Sequence, residues 1–138
     1  MRGRGLLLGM VVAGLVVGCG GRQQASPLSG EAAQGRQLVE QYGCVGCHTT
    51  DGRRGVGPSW KNLYGSHVEL ADGTAVIADE DYLRRSILEP DAQIVAGYPP
   101  GLMASQVPPG SIAPQQADLI VAYLKTLGTP PPSPATNP

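Results

Sequence analysis

Three side chains within five positions carry the chemistry this chain is equipped for: Cys44, Cys47 and His48, in the run Cys44-Val45-Gly46-Cys47-His48. Residues three and four apart share one face of a helical turn, so a single turn presents two thiols and an imidazole on the same side. Cys-x-x-Cys-His is the attachment signature of a c-type haem, in which the thiols add across the vinyl groups and the adjacent His reaches the iron. A bare Cys-x-x-Cys also serves thioredoxin-like dithiols and zinc sites. A dithiol motif sits between a strand and a helix, and no strand pattern precedes Cys44. Zinc needs four ligands, and with Cys19 assigned elsewhere only His67 is left as the fourth. One covalent haem c on Cys44 and Cys47, with His48 as an axial iron ligand, is the expected cofactor.

A second axial ligand is then needed, and few side chains qualify. Beyond the leader the chain has a single methionine, Met103, 55 residues after His48 in the loop Ala96-Gly97-Tyr98-Pro99-Pro100-Gly101-Leu102-Met103. A methionine often only fills a core gap; on a Pro/Gly-rich loop before the last helix, it is the expected sixth ligand. His67, 19 residues after His48, is the competing nitrogen, with exposure at the start of a hairpin as its alternative role. Thioether ligation favours iron(II) and raises the reduction potential relative to imidazole. A filled sixth position also argues against an enzyme or ligand sensor with an open iron. Around the site, the Pro58 carbonyl is the expected acceptor for the distal N–H of His48. Trp60 and Tyr64 are expected at the haem surroundings, either donating to propionates or packing on the ring edge. Arg53 and Arg54 either offset propionate charge or are solvated.

The elements that must position these residues are short. A helix is expected from Glu31 to Tyr42, capped by Ser29 or Gly30, with Gly35, Leu38, Val39 and Tyr42 on one face and Gly43 ending it. A second is expected from Asp81 to Glu89, with Asp79, Glu80 and Asp81 favouring its N-terminus and Pro90 closing it. The third, Pro114 to Leu127, carries an apolar stripe of Leu119, Ile120, Tyr123, Leu124 and Leu127. Val68 to Leu70 and Thr74 to Ile77 flank Asp72-Gly73 and read as a small hairpin excursion. The fold class expected is therefore all-α: three main helices around a covalent haem, with a minor β-hairpin. With no Phe, one Trp, 20 Gly and 13 Pro, the protein core is thin, and the haem is expected to staple it, leaving the apoprotein largely unfolded.

The ends belong to other tasks. Residues 1–18 read as a lipoprotein signal peptide, with Arg2 and Arg4 ahead of an apolar run from Leu6 to Val17 that is too short to span a bilayer. The run leads to Val16-Val17-Gly18-Cys19, which resembles a lipoprotein box with Cys19 as the lipidated residue. Residues 19–29 then form a flexible tether, 30–128 the single domain, and 129–138 a Pro-rich tail. An exported protein lipid-anchored to the outer face of a bacterial cytoplasmic membrane is the expectation. Of the 10 basic residues, removal of Arg2 and Arg4 leaves 8 against 11 acidic, a formal charge of −3. No basic patch suggests nucleic acid. With Lys61 and Lys125 as the only lysines, partner docking is expected to be weakly charged or apolar.

These residues together resemble the class I monohaem c-type cytochromes over nearly the whole of residues 30–128. The resemblance rests on Gly35, Cys44-Val-Gly-Cys47-His48, Gly57-Pro58, Asn62-Leu63-Tyr64-Gly65, the Met103 loop and Tyr123-Leu124 in the last helix. It implies an all-α fold around the haem, His48 and Met103 as axial ligands, the Pro58 carbonyl on His48, and Gly35 packed near Tyr123. A narrower likeness, in the segment from Leu63 to Gly73 and in Ile94-Val-Ala-Gly-Tyr-Pro-Pro, is to the cytochrome c domain of haem-copper oxidase subunit II. Lipid-anchored monohaem subunits of alternative complex III are similar as well. Gly101 and Leu102 intervene before Met103 here, no cupredoxin domain is present, and Ser66 stands where many relatives carry an arginine. What the resemblance implies is a non-enzymatic carrier of single electrons, from a quinol-oxidising complex or another cytochrome towards a terminal oxidase, with no small-molecule substrate. The alternative is an obligate haem subunit of a larger respiratory complex.

Overall fold

The computed structural model describes Leu28 and residues 30–128; the expected signal peptide, Cys19, the rest of the expected tether and the Pro-rich tail lie outside the described residues. Among the described residues, four α-helices and one two-stranded sheet follow in the order α1 (Gly30–Gln41), β1 (His67–Glu69), β2 (Ala75–Ile77), α2 (Glu80–Leu88), α3 (Leu102–Gln106) and α4 (Pro114–Lys125). The three main helices stand within about two residues of their expected bounds. The short α3 was not expected.

α1 and α4 cross closely, and the sequence provides for it at one residue. A Cβ built on Gly35 would lie 1.9 Å from the Leu119 carbonyl oxygen and 3.0 Å from Tyr123 Cβ, so only glycine lets the two backbones approach this far. Ala32 and Val39 are buried beside it on α1. On α4 the inward face is broader than the expected stripe: Ala117, Ile120, Val121 and Leu124 are buried, while Leu119 and Tyr123 flank the glycine. Pro114 opens α4 at its first turn, where no N–H is needed. The Gln116 side chain accepts from the Ala113 N–H at 2.9 Å and from the Tyr42 hydroxyl at 3.1 Å. That side chain ties the end of α1 to the start of α4.

α2 starts where Asp79 accepts a hydrogen bond from the Tyr82 N–H at 2.8 Å, which satisfies one of the free donors of the first turn. Asp79 thus acts as the cap, and Glu80 and Asp81 occupy the first turn. Tyr82, Leu83 and Ile87 are the face it buries.

The hairpin pairs His67 with Ile77, Val68 with Val76 and Glu69 with Ala75, one residue earlier on its first strand than the expected span. Within the hairpin, Gly73 is the residue that takes a positive φ, +84°. The Gly73 N–H bonds back to the Leu70 carbonyl, and the Leu70 N–H to the Thr74 carbonyl. Asp72 Oδ1 accepts from the Thr74 N–H and hydroxyl at 2.9 and 2.7 Å. The hairpin is also more than an excursion. Leu70 bridges Val95 in antiparallel fashion, the Ala71 N–H bonds to the Ile94 carbonyl at 2.8 Å, and the Ala96 N–H to the Glu69 carbonyl at 2.9 Å. Its edge therefore holds the start of the segment that leads to Met103.

Candidate functional site

Gly43 takes φ +70°, the left-handed residue that ends a helix and redirects the chain. Immediately after it, Cys44–Gly46 forms a 3-10 turn. The Cys47 N–H reaches the Cys44 carbonyl at 3.2 Å, and the His48 N–H reaches the same oxygen at 3.0 Å. The motif is a tight turn closed by one α-type bond rather than a stretch of regular helix, and it keeps the i, i+3, i+4 relation that the chemistry needs. Both cysteines are half-buried and neither is in a disulfide. Burial pushes the Cys44 thiol up from its ordinary range, with the neighbouring Cys47 adding to the shift and a backbone hydrogen bond opposing it.

The chain after His48 doubles back along the motif. The Gly57 N–H bonds to the Cys47 carbonyl at 2.9 Å and the Trp60 N–H to the Thr49 carbonyl at 2.8 Å. Two glycines permit this approach. A Cβ at Gly55 would meet the Cys47 carbonyl oxygen at 2.4 Å, and one at Gly57 would meet His48 Cε1 at 2.6 Å. His48 is fixed on several sides as a result. Its Nδ1 lies 2.8 Å from the Pro58 carbonyl oxygen, and because a carbonyl only accepts, Nδ1 carries the proton. Nε2 is left with its lone pair free for a metal. The Trp60 ring stacks on the imidazole at 4.7 Å between centroids and 12° between planes. Burial holds the His48 pKa below its ordinary value of 6.5, against the opposing pull of the Pro58 hydrogen bond, so the imidazole is neutral near pH 7.

Cys44, Cys47, His48, Pro58, Trp60 and Met103 all line one cleft, which α2 walls with Tyr82, Leu83 and Ile87 and α4 with Ile120 and Leu124. Its empty volume is about 1400 Å³ with the open mouth included. A flat apolar body carrying two vinyl groups fits this donor set: two thiols on one edge, a neutral imidazole nitrogen and a thioether sulfur, within walls made largely of aliphatic and aromatic side chains. Zinc does not fit, since among the described residues no group of three or more His, Cys, Asp or Glu is placed to hold a bare metal ion.

Two expectations about the surroundings change. Met103 is carried by α3, whose N-terminal neighbour Gly101 sits at φ +82°, and not by an irregular loop. The Pro/Gly run supplies the turn that starts this helix, and a five-residue helix is too short to announce itself by periodicity. Tyr64 is absent from the residues that line the cleft. Its ring instead lies under the Lys125 ammonium at 5.1 Å, and Lys125 pairs with Glu80; the hydrogen bond to Glu80 raises the Lys125 pKa. His67, the competing nitrogen, is exposed on β1 and is likewise not in the cleft lining. Sequence reasoning placed Trp60 at the haem surroundings but missed its stack on His48. It also missed Gly55, whose signal was an extra glycine two residues before Gly57-Pro58.

The cytochrome c family model matches residues 32–128, most of the chain and nearly all of the described domain. The protein belongs to the cytochrome c family: a haem protein that transfers electrons and is not an enzyme. No curated protein matches this chain closely enough to make its identity more particular.

Proposed function

We propose that this protein is a lipid-anchored monohaem cytochrome of a respiratory chain, with His48 and Met103 as the axial ligands. It would take single electrons from a quinol-oxidising complex or another cytochrome and pass them towards a terminal oxidase. The observation that carries the reading is the convergence of Cys44, Cys47, His48 and Met103 on one apolar cleft, with the His48 tautomer set by Pro58. When bound, the haem supplies a one-electron couple. The protein's part is to hold a neutral imidazole and a thioether in place, exclude water with the walls of α2 and α4, and leave one edge accessible. No proton donor or acceptor is required, because an outer-sphere electron changes no covalent bond.

The respiratory placement draws support from the resemblance of residues 63–73 and 94–100 to the cytochrome domain of oxidase subunit II. The outer-face anchor draws support from the sequence around Cys19. Val56 and Leu102 line the cleft and are 57% and 45% exposed. This apolar rim favours partner contact without a strong charge pattern and keeps the obligate-subunit reading as the second one.

A reduced-minus-oxidised optical spectrum, extended into the near infrared for the ferric form, tests the core of the proposal. The expected result is a c-type α-band together with the weak sulfur-to-iron(III) charge-transfer band. High-spin features or fast CO binding would overturn Met103 as a stable ligand. Membrane fractionation of the full chain and of Cys19→Ser tests the anchor: the parent is expected with the membranes and the variant released. Recovery of a larger complex in mild detergent would move the subunit reading ahead of the mobile carrier.

A further inference from the structure

The two stretches of chain that bear His48 and Met103 both line the cleft, and one side chain crosses between them. Arg54 Nη2 donates to the Gly97 carbonyl at 2.5 Å, and the Arg54 guanidinium carbon lies 4.3 Å from the centroid of the Tyr98 ring. The contacts land on the segment that runs into α3, six and five residues before Met103. Gly97 takes φ +79°, a left-handed backbone conformation that a residue with a Cβ rarely adopts.

The base of Arg54 is firm. Thr49 donates its hydroxyl to the Arg53 carbonyl at 2.5 Å, and the Gly57 N–H is bonded to the Cys47 carbonyl, so Arg54 is mounted on the haem-attachment turn itself. Its neighbour Arg53 shows the contrast: it pairs with Asp51 at 2.6 Å and stays within its own loop. Further on, the Ile94–Ala96 stretch is held by Glu69, Leu70 and Ala71 of the hairpin, and the Gly101 N–H by Asp91 Oδ1 at 2.8 Å. Arg54 grips the span between those two fixed points, where Tyr98 itself lines the cleft.

We propose that Arg54 is a positioning residue for the sixth ligand, a latch from the His48 side of the cleft that holds the Met103 segment against the iron and sets how often the thioether lets go. The inference rests on Met103 being that ligand. A planar guanidinium is suited to this double contact, since it offers a charge-assisted hydrogen bond in its plane and a flat face to an aromatic ring. An ammonium makes only one of the two well. Loss of both contacts is expected to raise the population of the Met103-released form about tenfold.

The test uses the ferric holoprotein as wild type, Arg54→Gln, Arg54→Lys and Arg53→Gln. Imidazole is the probe, because it occupies the iron only after Met103 leaves, and amide hydrogen exchange over residues 97–103 reads the segment directly. The expected result is imidazole binding about tenfold faster in Arg54→Gln, an intermediate rate in Arg54→Lys, and faster exchange confined to 97–103 in the Arg54 variants. Arg53→Gln is expected to match wild type, and the c-type α-band to be unchanged throughout. Rates and exchange in Arg54→Gln equal to wild type overturn the latch, as does an equal acceleration in Arg53→Gln, which would reduce it to loop charge. A wild type without the sulfur-to-iron band would instead overturn the ligand assignment, and the exchange arm then still decides whether Arg54 holds the segment.

Discussion

The two sides of the cleft are built to different standards. On the His48 side, the turn from Gly43 to Trp60 is cross-linked to itself by backbone hydrogen bonds at Gly46, Cys47, His48, Gly57 and Trp60. The imidazole meets Gly57, the Pro58 carbonyl and the Trp60 ring within one short stretch of sequence. The Met103 side is a short helix at the end of a long approach. It is held by the edge of a two-stranded hairpin, by the Asp91 carboxylate and by Arg54 reaching across. One ligand is fixed by its own sequence neighbours; the other depends on distant parts of the chain. Local opening follows where few backbone bonds and little buried surface hold a segment, so the Met103 side is the one expected to open first.

Several experiments break or sharpen this contrast. Gly57→Ala should be the most damaging, because its Cβ would sit 2.6 Å from His48 Cε1 and the ring would have to abandon Pro58. A loss of about 3 kcal/mol is expected in the unfolding free energy of the holoprotein, read from denaturant titration, with reduced haem incorporation. A variant of wild-type stability would show that the His48 side yields as easily as the other. Met103→Ala, at a half-buried position, should cost less, about 2 kcal/mol, yet it should abolish the sulfur-to-iron band and open the iron to CO and imidazole. Retention of the band would remove Met103 from the iron altogether.

The pH dependence separates the sides further. Burial holds the uncoordinated folded His48 below its ordinary 6.5 and an iron on Nε2 would exclude the same proton, while an unfolded chain that releases the imidazole takes it up near the ordinary value. Unfolding therefore takes up a proton as the pH drops below 6.5. The stability from this group is complete above 6.5 and is lost as pH falls towards the lowered folded value, by up to about 1.4 kcal/mol per pH unit. Urea midpoints at a series of pH values between 7.5 and 5.5 check the sign, and a midpoint that rises on acidification would contradict it. The smallest effect expected is that of Gly73→Ala. It places a Cβ at φ +84° and costs about 1 kcal/mol, with faster amide exchange at Ala71 and Ala96 and none at Cys47 or His48. Exchange that spreads evenly over both sides would show that the hairpin does not specifically support the Met103 approach.

What the sequence determined by itself was everything that depends on spacing of a few residues. Cys44, Cys47 and His48 had to share a turn. The close crossing of Gly35 near Tyr123 came only from the family resemblance, whereas Gly43 had to end α1 and Pro114 had to open α4. These are local or periodic constraints, and they hold whatever the rest of the chain does. The tertiary structure decided matters that join residues far apart. It put Trp60 flat against His48 and gave Tyr64 to Lys125 instead of the cleft. It turned the hairpin from an ornament into a support for residues 94–96, and it wound a single short helix at Met103. Arg54 illustrates the difference best: beside Arg53 in the sequence the two look interchangeable, and only the fold, by bringing Gly97 and Tyr98 within reach, gives one of them a partner 43 residues away. Such contacts leave no periodic or compositional trace, because they depend on where loops of irregular backbone come to rest.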